Sequence, residues 1–95
     1  MFEEIVSLHH LLNYLYIPHE FRPLHGGHQV LYRGKDGEAV CSAVQHRYSC
    51  GGMSGFIEIV GLLYPSEAES DDVAGWLTAR EVATRIQQHY NQCHQ

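Results

Sequence analysis

Two strand-forming runs on either side of a tight turn constrain the fold of this chain more than any other feature. In residues 28–33, Val30 and Tyr32 alternate with Gln29 and Leu31, and residues 38–49 continue an alternating pattern. Between them, Gly34-Lys35-Asp36-Gly37 contains the Asp-Gly pair that supplies the positive φ favoured in hairpins. This arrangement predicts an antiparallel β-hairpin.

A third strand is predicted after a glycine-rich connection at residues 50–55. Residues 56–64 are apolar on both faces of an extended chain, which is typical of a central or doubly covered strand. Residues 19–27, which precede the hairpin, are predicted to be irregular. Pro23 and Gly26-Gly27 indicate a bend, and a short edge strand before this bend is compatible with the pattern. The expected sheet therefore has three antiparallel strands.

Helices are predicted at both ends of the chain. Apolar residues at three- and four-residue steps indicate a helix over residues 2–16, which Pro18 terminates. Residues 65–75 are expected to form an acidic loop, and Thr78-Ala79-Arg80-Glu81 fits a capping box that opens the last helix. The prediction is a single α+β domain over residues 1–95, in the order α-β-β-β-α, with both helices packed on one face of the sheet.

The charge balance argues against a nucleic-acid-binding role. Six basic residues stand against eleven acidic ones, giving a formal net charge of −5, and Lys35 is the only lysine. The arginines are scattered singly, whereas direct binding of DNA or RNA normally needs a clustered basic face. No apolar run is long enough to span a membrane, and Glu3 and Glu4 stand where a leader would be basic. We therefore expect a cytoplasmic protein with no membrane partner.

Cysteines and histidines raise the question of a metal site. Cys41, Cys50 and Cys93 are an odd number, which favours reduced thiols over a disulfide scaffold. Two pairs have ligand-like spacing, and together they could form a tetrahedral zinc set. The pairs are His25 with His28 and His89 with Cys93. The alternative is that these are solvated histidines and a small buried thiol.

Nucleophilic catalysis has little support. Gly52-Met53-Ser54-Gly55 lacks the spacing of a nucleophile elbow, and Cys50 with the nearby His46 has no identifiable orienting carboxylate or amide. No glycine-rich phosphate-binding loop is present. We expect the chain not to be an enzyme and to need no cofactor, unless zinc is bound.

The acidic stretch is the strongest candidate for an interaction surface. Its four carboxylates lead towards Trp76, so they could offer negative charge and an aromatic anchor to a basic partner. The carboxylates are those of Glu67, Glu69, Asp71 and Asp72. The alternative is a solvated connection whose charges favour the following helix through its dipole.

Three segments resemble a family of small uncharacterised proteins encoded by phages and integrative elements of Gram-positive bacteria. They are Val40-Cys41-Ser42-Ala43-Val44-Gln45-His46, Glu58-Ile59-Val60-Gly61-Leu62-Leu63 and Gly75-Trp76-Leu77-Thr78-Ala79-Arg80-Glu81-Val82. The likeness extends over residues 18–90, and its motifs are structural rather than catalytic. The histidine-rich bend and tail depart from it. The resemblance implies an accessory factor that binds a host protein, with anti-CRISPR inhibition of an effector nuclease as the most concrete example.

These observations favour a non-enzymatic interaction protein that modulates a host defence or nucleic-acid enzyme through its acidic surface. Two alternatives stay open from the sequence. One is a zinc-binding protein that uses the His/Cys set. The other is a self-associating module, a homodimer in which an open sheet edge pairs with a second copy.

Overall fold

The computed structural model describes residues 2–49, 51–70 and 73–93. They form a five-stranded antiparallel sheet in the order β1-β2-β3-β4-β5, together with three α-helices and one 3₁₀ turn. In chain order the elements are α1 (Glu3–Tyr14), β1 (Glu20–Leu24), β2 (Gly27–Arg33), β3 (Ala39–Gln45), the 3₁₀ turn (Gly52–Ser54), β4 (Ile57–Val60), α2 (Pro65–Ser70), β5 (Val73–Leu77) and α3 (Ala79–Cys93).

The core lies between the two long helices and one face of the sheet. Helix α1 contributes Ile5, Leu8 and Leu12 to the core. The helical spacing of these residues predicted that they would share one face of the helix. Strand β3 contributes Cys41 and Ala43, while alternate residues of the same strand point to the other face. The predicted α+β class, the antiparallel sheet and the terminal helices are confirmed.

The prediction of three strands is wrong, because β1 and β5 extend the sheet at its two edges. Strand β1 covers part of the segment expected to be irregular, and it pairs with β2 from Glu20↔Leu31 to Leu24↔Gly27. Pro23 is tolerated there because an edge strand needs backbone hydrogen bonds on one side only. The acidic segment expected as a loop instead forms α2 and then β5.

Local sequence signals set several of the observed boundaries. The 34–37 turn is present, with Gly37 at φ +84°. The capping box also forms: the Thr78 backbone N–H donates to Glu81 Oε1 at 3.1 Å, and the Glu81 N–H donates to Thr78 Oγ1 at 3.2 Å. Helix α1 ends two residues earlier than predicted, in a turn that precedes Pro18.

Candidate functional site

Trp76 stands on a bulge in the edge strand β5. The register pairs Ile57 with Leu77 and Ile59 with Ala74, so Gly75 and Trp76 together face Glu58 alone. Trp76 adopts φ +60°, in the left-handed region that glycine favours. Its side chain is 60% exposed. The bulge therefore turns a large aromatic ring outwards at the end of an edge strand.

The indole rests on a support built by the β3–β4 connection. Its ring lies 5.6 Å from the ring of Phe56, centroid to centroid. A Cβ on Gly51 would lie 3.0 Å from both Trp76 Cδ2 and Phe56 Cβ, so glycine lets the indole approach the backbone closely. Met53 and Tyr48, in the same connection, are also exposed. This end of the sheet thus presents an aromatic surface held by close packing.

Glu67 is engaged inside the molecule rather than presented to a partner. Its Oε1 and Oε2 accept hydrogen bonds from the Arg85 guanidinium at 2.8 and 2.9 Å, and its Oε1 also accepts from the Tyr64 N–H at 2.8 Å. The hydrogen bonds from Arg85 hold the pKa of this carboxyl below its usual value. The bidentate pair joins α2 to α3.

For the other three predicted acidic residues, only the position along the chain is known. Glu69 belongs to α2, while Asp71 and Asp72 lie outside the described residues, between α2 and β5. The acidic stretch therefore leads directly into the edge strand that carries Trp76. Of the predicted partner-binding set, Trp76 is the residue that the structure shows to be exposed, whereas the Glu67 side chain is 25% exposed and paired with Arg85.

The four predicted zinc ligands belong to separate contact sets. His25, in the β1–β2 turn, has its ring 5.1 Å from that of His46, whereas His28 stacks on Phe21 at 4.6 Å. His89 and Cys93 lie on α3 at the other end of the sheet. Within residues 2–49, 51–70 and 73–93, no group of three or more His, Cys, Asp or Glu is arranged to hold a metal ion.

His89 and Cys93 are the predicted pair that the fold does bring together. The Cys93 Sγ lies 3.7 Å from His89 Nε2, and the Tyr32 hydroxyl lies 2.8 Å from His89 Nδ1. Burial raises the pKa of the Tyr32 hydroxyl. Cys93, Tyr32 and Tyr90 line a cleft of about 470 Å³ between the end of α3 and the start of β1. By contrast, burial raises the pKa of the Cys41 thiol to about 12, which makes that thiol inert.

A second cluster, around His9, was not anticipated from the sequence. The His9 ring stacks on Phe21 with centroids 4.1 Å apart, and His9 Nδ1 lies 2.8 Å from His19 Nε2. His9 lies one helical turn after the buried Ile5, and this spacing is the only local feature that predicts its place on the inner face of α1. Its contact with His19 depends on the chain reversal after α1.

Comparisons with known proteins found no similar sequence or structure: no family model, curated protein or solved structure matches the chain. The resemblance to mobile-element proteins accordingly stays a prediction, as does the absence of catalysis. Within the described part of the chain, none of the helices has the length and apolar character needed to cross a membrane.

Proposed function

We propose that this protein is an interaction module that binds a partner protein through the edge strand β5, with Trp76 as the anchor. The observation that carries the proposal is the exposed tryptophan in a left-handed backbone conformation. Such a conformation costs a non-glycine residue about 1–2 kcal/mol. Strained residues cluster at functional sites, and tryptophan is the residue type most enriched among binding hot spots.

The strand itself favours docking by strand addition. Among the described strands, β5 pairs with β4 alone, and Val73–Leu77 contains no proline and no charged side chain. An extended partner segment could therefore hydrogen-bond along this edge while Trp76 fills a pocket on the partner. The opposite edge strand, β1, carries Glu20, Arg22 and Pro23, which discourage such pairing.

Charge supports a basic partner surface. The net charge is −5, and the acidic residues Glu69, Asp71 and Asp72 immediately precede β5. Electrostatic attraction between an anionic surface and a cationic partner speeds association, and this attraction weakens as the salt concentration rises. A nucleic-acid-binding channel of a host defence enzyme is such a surface, and the resemblance to mobile-element proteins makes it the partner class we propose to test first.

Affinity capture with matched variants tests this proposal. Immobilised wild-type protein, Trp76→Gly and Tyr14→Ala are compared on the same host lysate at low and high salt. Tyr14 is a suitable control because it is exposed but lies on α1. The proposal predicts a partner that the wild type and Tyr14→Ala retain and that Trp76→Gly loses. With the purified partner, Trp76→Gly should weaken binding by roughly 30-fold or more.

Stability measurements separate loss of an anchor from loss of the fold. Because glycine relieves the left-handed strain while forfeiting the contact with Phe56, we expect Trp76→Gly to unfold within about 1 kcal/mol of the wild type. Equal capture by wild type and Trp76→Gly would overturn the proposal. So would a large loss of stability in that variant, because Trp76 would then be a structural residue.

Self-association is the second candidate, and the same edge favours it. Two copies could pair their β5 strands antiparallel and continue the sheet across a two-fold axis. Light scattering over a range of concentrations distinguishes the candidates, because a dimer doubles the monomer mass of 10.8 kDa. A Gly75→Pro variant should return such a dimer to monomer, since proline at the strand centre blocks edge pairing.

A further inference from the structure

Two imidazole nitrogens face each other where α1 meets the start of β1. His9 Nδ1 and His19 Nε2 are 2.8 Å apart. Late transition metals bind imidazole nitrogen at about 2.0–2.1 Å, so two nitrogens on one ion stand roughly 2.9–3.4 Å apart. A small opening of this contact would let both rings ligate the same ion.

The outer nitrogen of the His19 ring is already held as it would be in a metal site. His19 Nδ1 lies 2.8 Å from the Ile17 carbonyl oxygen, which can only accept, so Nδ1 carries the proton and Nε2 presents a lone pair towards His9. A carbonyl contact of this kind fixes the tautomer and the direction of metal-ligating histidines. The Asn13 Nδ2, which can only donate, lies 3.4 Å from His9 Nε2, so His9 rests with its proton on Nδ1. Ligation through Nδ1 therefore requires the other tautomer of His9, which the exposed Asn13 side chain accommodates by turning its oxygen towards Nε2.

The ring of His9 is also fixed in its plane. It stacks on Phe21 with an interplanar angle of 6°, and Phe21 stacks in turn on His28 at 14°. Its position on α1 and the Phe21 contact on β1 restrain the imidazole from two sides. A ligand immobilised before binding loses little further conformational entropy when the ion arrives.

We propose that His9 and His19 form a two-histidine site for a divalent late transition metal ion, Cu²⁺, Ni²⁺ or Zn²⁺, with water completing the coordination. The ion takes the place of the Nδ1 proton of His9, and the ring takes up a proton at Nε2 instead, so that His9 ligates as a neutral imidazole. This site lies away from the edge strand β5 and shares no ligand with the predicted set of His25, His28, His89 and Cys93, although His28 stacks on the same Phe21 ring as His9.

Protons compete with the ion for this site. The groups facing His9 are His10 on its own helix, His19 after the turn and His28 on β2. The nearby carboxylate of Glu20 is paired with Arg33 and Arg22. A metal ion binds only the unprotonated nitrogens, so we expect affinity to fall as pH falls.

Titration of the full chain with Cu²⁺ and Zn²⁺, monitored by calorimetry, tests the site. We expect one ion per chain. His19→Gln should weaken binding roughly tenfold or more, and His9→Gln should have a similar effect. His10→Ala is the matched control on the same helix, and Cys93→Ser tests the alternative pair. The electron paramagnetic resonance spectrum of the Cu²⁺ complex should show two nitrogen ligands, one of which is lost in His19→Gln.

Unchanged affinity in His19→Gln would overturn the proposal, and so would a comparable loss in His10→Ala or Cys93→Ser. His19 precedes β1 and is partly exposed, so its substitution keeps the test valid even if His9→Gln fails to fold. Circular dichroism of each variant verifies the fold before titration.

Discussion

At the scale of single residues, Tyr16 occupies a backbone conformation that favours glycine. It follows the C-cap of α1 at φ +58°, where glycine is the usual residue. Two backbone hydrogen bonds close the surrounding turn. The Tyr16 N–H donates to the Asn13 carbonyl at 3.1 Å, and the Ile17 N–H donates to the Leu12 carbonyl at 2.9 Å. The Tyr16 side chain is 88% exposed, so little packing offsets the strain.

We therefore expect Tyr16→Gly to stabilise the protein. The relief of left-handed strain exceeds the entropic cost of glycine, for a net gain of about 0.5–1 kcal/mol and a melting temperature higher by a few degrees. Tyr14→Gly is the control, because Tyr14 lies inside α1 and glycine there should destabilise the helix by a similar amount. Thermal melts of both variants verify the signs; a lower melting temperature for Tyr16→Gly would contradict this account.

Gln45 is a buried polar residue that connects three parts of the chain. Its Oε1 accepts from the Ile5 N–H at 2.9 Å, and its Nε2 donates to the Gly52 carbonyl at 3.2 Å. The side chain is fully buried. Phe2 provides no side-chain cap for α1, so Gln45 satisfies one of the helix's unpaired N–H groups from a neighbouring strand.

Replacing this amide should be costly. Gln45→Leu leaves the buried Ile5 N–H without a partner and removes one of two hydrogen bonds to the Gly52 carbonyl, which still accepts from the Gly55 N–H at 3.2 Å. We expect it to lower the free energy of unfolding by about 1–3 kcal/mol. Gln29→Leu is the matched control: its amide bonds Ser42 Oγ at 2.7 Å but is only partly buried. Urea denaturation should place the midpoint of Gln45→Leu well below that of Gln29→Leu. Equal midpoints would show that the remote cap contributes little.

At the scale of elements, the Arg85–Glu67 pair fixes α2 against α3. The Arg85 side chain is 6% exposed and that of Glu67 25%. Arg85 also donates to the Leu62 carbonyl at 3.1 Å, and its Cζ lies 4.0 Å from the centre of the Tyr64 ring. The guanidinium is thus in contact with protein groups on several sides, and the Glu67 carboxylate provides its counter-charge.

Removing the carboxylate should therefore destabilise the fold in a pH-dependent way. Glu67→Gln leaves a nearly buried cation without its counter-charge, which we expect to cost roughly 2–4 kcal/mol at pH 7. Because the folded-state pKa of Glu67 is lowered, the pair stabilises the fold above the unfolded pKa near 4.3 and loses that effect as pH falls through the folded value. Urea midpoints of wild type and Glu67→Gln should converge at acidic pH. A constant difference from pH 7 to pH 3 would contradict this assignment.

The elements that the sequence predicted correctly are those with local signals. The repeat of Leu8 and Leu12, the turn at Gly37 and the Thr78 capping box each involve residues within one turn or hairpin. Strand β5 has only five residues, lies between two helices, and contains a bulge that interrupts alternation, so no periodic pattern identifies it. The contact between His9 and His19 likewise depends on a chain reversal that spacing alone does not specify.

At the scale of the whole molecule, the eight histidines couple the net charge to pH, and two of them also couple stability to pH. Their full protonation would change the formal net charge from −5 to +3. Burial, with a further contribution from His19, lowers the pKa of His9. Burial and the neighbouring His25 lower the pKa of His46. Both histidines therefore bind a proton less readily in the folded chain than in the unfolded chain.

The sign of the pH effect follows from this difference. The unfolded chain takes up more protons as pH falls through about 6.5, so stability should decline between pH 7.5 and pH 5.5 and level off below the folded-state pKa values. The geometry at His9 agrees, because two cationic imidazoles cannot keep a contact of 2.8 Å. We expect the urea midpoint of the wild type to fall over this range and that of a His9→Asn, His46→Asn double variant to fall less. His10→Gln changes an exposed ring on the same helix and removes only a smaller contribution to the low pKa of His9, so its midpoint should fall nearly as much as that of the wild type. A midpoint that is constant with pH in the wild type would show that the buried histidines do not control stability.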